Sequence, residues 1–98
     1  MKRILKYELK IEDEQEIEMP EGSDILTVIA KADIGYRNTV KYSHICLWAM
    51  VEEAKEKIKY KIRMIGTGHR IENTAKLKYI ATICFEDGLV LHCFLEGE

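Results

Sequence analysis

Apolar and polar side chains alternate one by one through much of this chain, and a period of two marks β-strands with one buried face. Ile17 and Met19 alternate with Glu16 and Glu18, and Ile58, Tyr60, Ile62 and Met64 alternate with Lys57, Lys59, Lys61 and Arg63. Near the start, Leu5, Tyr7 and Leu9 alternate with Lys6 and Glu8. The acidic stretch Glu12-Asp13-Glu14 separates this run from the one ending at Met19, so the two read as an opening pair of strands. Towards the end, Tyr79, Ala81, Ile83 and Phe85 alternate with Ile80, Thr82 and Cys84. Glu86-Asp87-Gly88 then leads into Leu89 to Leu95, a hairpin signal because the glycine supplies the positive φ that such loops need.

Two runs are denser. Ile25 to Ala32 is nearly continuous in apolar residues, which predicts a strand buried on both faces. Tyr42 to Val51 is rich in aromatic and aliphatic residues and predicts another strand. Asp33-Ile34-Gly35-Tyr36-Arg37-Asn38 breaks the pattern between them, and Pro20-Glu21-Gly22 is a turn signal. The Glu52 to Glu56 stretch predicts a hairpin loop or a single helical turn, and a short turn of helix is expected near Asn73 to Lys76. The sum is a mostly-β chain: six or seven antiparallel strands in a small open barrel or curled sandwich, with at most one or two short helical turns. At 98 residues, residues 1–98 form a single domain.

Composition adjusts this picture at a few points. With 15 basic and 17 acidic side chains the formal net charge is −2. Nucleic-acid binding rests on phosphate neutralisation by a basic excess, so no nucleic-acid partner is expected. A hydrophobic fraction of 47% in so short a chain leaves apolar surface over, which points to a homo-oligomer, dimer or larger. Cys46, Cys84 and Cys93 are odd in number and lack CxxC spacing, so they read as reduced, mostly buried thiols. The basic start at Met1-Lys2-Arg3 returns to charge within a few residues and no stretch approaches membrane length, so neither a leader nor a membrane span is expected. A cytoplasmic protein without a membrane partner is therefore expected.

The most informative candidate site is Gly66-Thr67-Gly68-His69-Arg70. Two glycines allow a sharp turn with amides near a ligand, and successive amides form an anion-binding nest. Thr67, His69 and Arg70 add donors for phosphate or ribose. The spacing is not that of a Walker loop, and the competing reading is a strand-ending turn whose histidine caps a carbonyl. Arg63 lies three residues before Gly66 and is expected at the same mouth. The row Lys57, Lys59, Lys61 and Arg63 shares one strand face, either as an anion surface or as a solvated face or lysine-guarded edge. Tyr36, with Arg37 beside it in a polar loop, is a candidate for stacking a base. So is Trp48, although its apolar run favours core packing.

Metal binding and catalysis gain little from the sequence. His92 and Cys93 fall on opposite faces of a regular strand, and His44 with Cys46 makes only a pair. The cysteines sit in apolar strands, where thiolates are disfavoured, and the acids are scattered. No cofactor and no catalytic residue are assigned.

Several motifs carry a resemblance. Lys2-Arg3-Ile4 with Lys6-Tyr7-Glu8-Leu9, Asp13-Glu14-Gln15, Ile17-Glu18-Met19-Pro20 with Gly22, Leu47-Trp48-Ala49, Gly66-Thr67-Gly68-His69 and Tyr79-Ile80 together resemble a family of short phage and prophage proteins of unknown function. The resemblance spans most of the chain. The segment from Ile29 to His44 is longer than in that pattern, and Lys57, Lys59 and Lys61 replace a more mixed stretch. The resemblance implies a phage origin, and small phage proteins often antagonise host defence, some as sponges for nucleotide-derived immune signals. The expected function is sequestration of a small phosphate-bearing nucleotide, of cyclic-nucleotide or ADP-ribose type. The alternatives are a protein-interaction module acting on a host protein, and a small hydrolase using His69.

Overall fold

A computed structural model describes residues 1–34, 40–85 and 88–97, with the backbone alone described for 31–34 and 40–44. Among these residues the chain forms β1 (Lys2–Leu9), β2 (Glu14–Pro20), β3 (Asp24–Ile34), β4 (Val40–Glu52), β5 (Lys57–Gly66), β6 (Leu77–Cys84) and β7 (Val90–Glu96). A single 3-10 turn at Thr74–Lys76 precedes β6. The strands make two antiparallel sheets, β1-β4-β3 and β2-β5-β7-β6, which are not joined into a closed barrel. The mostly-β expectation and the short helical turn near Asn73 both hold.

The alternating pattern explains the layering. Leu47, Ala49 and Val51 of β4 alternate with Trp48 and Met50, and the first set packs inward against Met19, Ile62, Met64 and Cys93 of the other sheet. Full burial of side chains such as Leu47 and Ile62 contributes about 1.5–3 kcal/mol each. Polar partners sit on the outer faces, so no buried polar or charged residue occurs among the described residues.

Pairing departs from the expected order in two places. β1 and β2 do not pair with each other: β1 lies against β4, and β2 against β5. The connection between them turns a corner from one sheet to the other. The Gln15 side chain fastens that corner, accepting from the Lys10 amide at 2.9 Å and donating to the Lys10 carbonyl at 2.7 Å. Likewise the Glu52–Glu56 segment is no hairpin loop, because β4 and β5 belong to different sheets. It is a turn that crosses between them, with the Lys55 amide donating to the Glu52 carbonyl at 3.1 Å. The corner between β2 and β3 is held by Tyr60, whose hydroxyl donates to the Pro20 carbonyl at 2.8 Å and accepts from the Ser23 amide at 3.2 Å.

Three burial expectations change as well. β3 is not buried on both faces, since Leu26 and Ile29 are exposed at 44% and 37%. Only its inner face packs against the shared core, and a bulge between Ile25 and Thr27 turns Leu26 outward. Trp48 is half-buried on the outer face of the first sheet, not in the core, with the Lys6 ammonium 5.9 Å from its ring centroid. The Lys57–Arg63 row does not guard a sheet edge, because β5 lies between β2 and β7.

Candidate functional site

β5 ends at Gly66, and the chain must then run back along the sheet. β7 lies between β5 and β6 and is antiparallel to both, so β5 and β6 are parallel and the Thr67–Lys76 connection spans the sheet's length. The reversal begins in a β-turn closed by the His69 amide donating to the Gly66 carbonyl at 3.2 Å. Gly68, the turn's third residue, has φ +86°, a left-handed value that glycine adopts without strain. The Thr67 and Gly68 amides take no part in the closing bond. His69 folds back over Gly66, and a methyl group placed there would meet its ring at 3.4 Å.

The turn borders a cleft of about 560 Å³. Ile11 and Asp13 from the β1–β2 corner form one wall, and Leu89 to Leu91 at the start of β7 form another. The corner is drawn to this end of the sheet because the Met64 amide donates to the Asp13 carbonyl at 3.0 Å. Gly88, at φ +93°, closes the last hairpin beside the cleft, donating its amide to the Phe85 carbonyl at 3.0 Å.

Beyond the turn runs a chain of hydroxyl and imidazole groups. Thr67 Oγ1 lies 2.9 Å from His92 Nε2, and His92 Nδ1 lies 3.0 Å from Thr82 Oγ1. Thr82 Oγ1 is in turn 2.7 Å from the Tyr79 hydroxyl, and the Tyr79 ring meets Phe94 edge-on at 5.8 Å. Three strands contribute: Thr67 follows β5, His92 lies on β7, and Tyr79 and Thr82 lie on β6. Strict alternation puts Tyr79 and Thr82 on opposite faces, with Tyr79 beside Ala81 and Ile83. A bulge between Tyr79 and Ala81 overturns that expectation. It lets Ile80 and Ala81 both pack inward and leaves Tyr79 57% exposed on the face that carries Thr82.

The structure therefore joins Gly66, Thr67 and His69 at one cleft, with Gly68 within the same turn and Arg70 exposed next along the chain. It does not bring the other described candidates there. Arg63 Nη1 donates to Glu96 at 3.0 Å, and its Nε lies 3.5 Å from Glu14. Trp48 belongs to the outer face of the other sheet. Tyr36 and Arg37 lie outside the described residues. His92, Thr82 and Tyr79 enter the site unannounced by the sequence. The signal for His92 was its place opposite Ile65, one pair short of the turn; the bulge concealed the signal for the other two.

The lysine row is largely balanced across the sheet. Glu14, Glu16 and Glu18 on β2 stand opposite Arg63, Lys61 and Lys59. Glu96 on β7 accepts from Lys61 at 3.1 Å and from Arg63. Those two partners hold the Glu96 carboxyl below its usual range, and Glu96 in turn raises Lys61. A face so paired is a cross-strand charge ladder. Among the thiols, Cys46 and Cys93 are buried and Cys84 is exposed, all three free. Burial pushes Cys93 up to about 11. No cluster of three metal-ligating side chains occurs among the described residues, and no helix among them is long and apolar enough to cross a membrane.

Fold and site define a two-sheet, all-β domain with a glycine turn and a polar hydroxyl–imidazole chain at one end of its larger sheet. The chain belongs to a family described as a domain of unknown function, DUF7352, whose model matches residues 1–98. No curated protein and no solved structure matches it.

Proposed function

We propose that this protein is a binding module that holds a small phosphate-bearing ligand at the Gly66–Arg70 turn. The observation that carries the reading is the glycine turn bordering the cleft, with the Thr67 and Gly68 amides outside its closing bond. A tetrahedral anion presents several acceptors, and two adjacent amides, the Thr67 hydroxyl and the Arg70 guanidinium are donors of the kind that bind it. The apolar wall of Ile11, Leu89 and Leu91 suits the flat body of a nucleoside. In the phage setting that the sequence motifs imply, such a module sequesters a nucleotide-derived immune signal, of cyclic-nucleotide or ADP-ribose type, in the host cytoplasm and performs no chemistry on it. A thermal-shift panel of such nucleotides tests the reading. A ligand at a hundred times its dissociation constant adds about 2.7 kcal/mol of stability. The ligand should be recovered intact after denaturation; recovery of a cleaved product would favour the hydrolase reading.

A second reading, a protein-interaction module, is favoured by the outer face of the first sheet. There the exposed Ile4, Leu26 and Ile29 lie around the half-buried Trp48 and Met50. The homo-oligomer suggested by composition has in this face its natural contact surface.

A further inference from the structure

Resting on the anion-binding reading above, we infer that His92 is a positioning residue which acts through Thr67 to supply the ligand's counter-charge, so that binding is coupled to uptake of one proton. A neutral imidazole has one donor and one acceptor nitrogen. In His92 both nitrogens face threonine hydroxyls, Thr67 at 2.9 Å and Thr82 at 3.0 Å. The direction of each hydroxyl is therefore tied to the state of the ring.

When Nε2 is the acceptor, Thr67 gives its proton to the ring and turns lone pairs to the cleft, which repels an anion. When Nε2 carries hydrogen, Thr67 accepts from the ring and its own proton is free for a phosphate oxygen. With a second proton on the ring, both nitrogens donate. Thr67 then offers its proton to the ligand, and Thr82 offers its proton to the Tyr79 hydroxyl at 2.7 Å. Either neutral tautomer also satisfies the chain, because each hydroxyl can donate or accept; the charged ring is the state that in addition places positive charge behind the anion.

Arg70 at the turn supplies one positive charge, and a phosphate or sulfate dianion leaves a second to be met. Arg63 lies on the same face of β5, two residues from the Ile65 that opposes His92, but it is engaged by Glu96 and Glu14. Asp13 on the cleft wall opposes Arg70 in sign. On β6, the neighbours on this face are Tyr79, Thr82 and the exposed Cys84, none of them a cation. His69, packed over Gly66, is the other titratable group at the turn. Imidazole is the side chain whose charge changes near neutral pH, so the histidines are left to adjust the field.

Sulfate is the probe of choice, being a tetrahedral dianion whose own charge is constant across the neutral range. Its affinity is measured at constant ionic strength from about pH 5.5 to 8.5, the range over which histidine changes charge. The readouts are the Thr67 and Gly68 amide shifts and the ring nitrogen shifts of His92. For one proton taken up on binding, affinity falls by up to about tenfold per pH unit as pH rises. Sulfate added near neutrality should drive the His92 ring nitrogens towards their protonated shifts. His92→Gln should flatten the profile while the melting curve stays cooperative, and His69→Gln should keep the slope. A flat wild-type profile, or a slope retained in His92→Gln, overturns the inference and leaves the binding site standing. Absence of sulfate and nucleotide binding at every pH overturns both.

Discussion

Lys61 and Glu96 stand directly opposite each other on β5 and β7, 3.1 Å apart, and the same carboxylate accepts from Arg63 at 3.0 Å. One acidic side chain thus ties down two members of the basic row. Replacing it frees both. Glu96→Gln is expected to lower the melting temperature at neutral pH. The Glu96 carboxyl is held below its usual range in the fold by Lys61 and then Arg63, so its contribution is present above the ordinary carboxylate range. It is lost as pH falls through the lowered value, and the gap between wild type and Glu96→Gln should close in acid. A gap that persists at about pH 2, well below the carboxylate range, would show that the ion pairs are not its cause.

At the turn, His69→Ala and Arg70→Ala should each weaken binding of a confirmed anionic ligand without unfolding the protein. Loss of a charge-assisted hydrogen bond costs on the order of 1.5–3 kcal/mol, roughly ten- to a hundred-fold in affinity. Gly68→Val should weaken it at least as much. The position has open space around it, so the damage comes from φ +86°, which a β-branched residue resists. Lys59→Ala should change affinity only slightly, because Lys59 stands in the ladder opposite Glu18. Calorimetry that found Lys59 dominant and His69 silent would move the ligand to the strand face.

Alkaline stability reports on Cys93. It is fully buried, and desolvation pushes its thiol up to about 11. An unfolded cysteine ionises near its ordinary value while the folded one does not, so the unfolded state gains as pH rises above that value. Stability should therefore fall by up to about 1.4 kcal/mol per pH unit between the two values and level off above the folded one. Cys93→Ala should remove this component, although the cavity lowers its stability at every pH. Urea midpoints at about pH 8 and pH 10.5, on either side of the ordinary thiol value, make the comparison. Equal losses in both proteins would exclude the thiol.

The outer face of the first sheet predicts self-association. Light scattering at micromolar concentration should give a mass above the 11.4 kDa of one chain. Ile29→Lys, which puts a charge at an exposed position on that face, should return the mass to one chain with little change in melting of the monomer. A monomeric wild type ends the proposal.

Much of this protein was determined by its sequence alone. The run from Lys57 to Met64 alternates without a break, and β5 forms with Tyr60, Ile62 and Met64 inward, Ile58 at its start remaining exposed. The run from Glu16 to Met19 does the same for β2. The glycine-bearing closing hairpin and the turn at Gly66–Gly68 were equally legible, because φ > 0 at Gly68 and Gly88 is a local demand that local residues meet. Tertiary structure decided what lies beside what. Nothing in the local pattern of β1 distinguishes pairing with β2 from pairing with β4, since both partners present a compatible strand. The Gln15 clasp on Lys10 and the sharing of one core between two sheets settle that choice. The same holds for the site. Tyr79 reads as a core residue by its period, and one extra residue in β6 carries it to the outer face beside Thr82 and His92. A bulge is set by how a strand must bend to follow its neighbour. That demand comes from β7 and the opposing sheet, and β6 alone does not encode it.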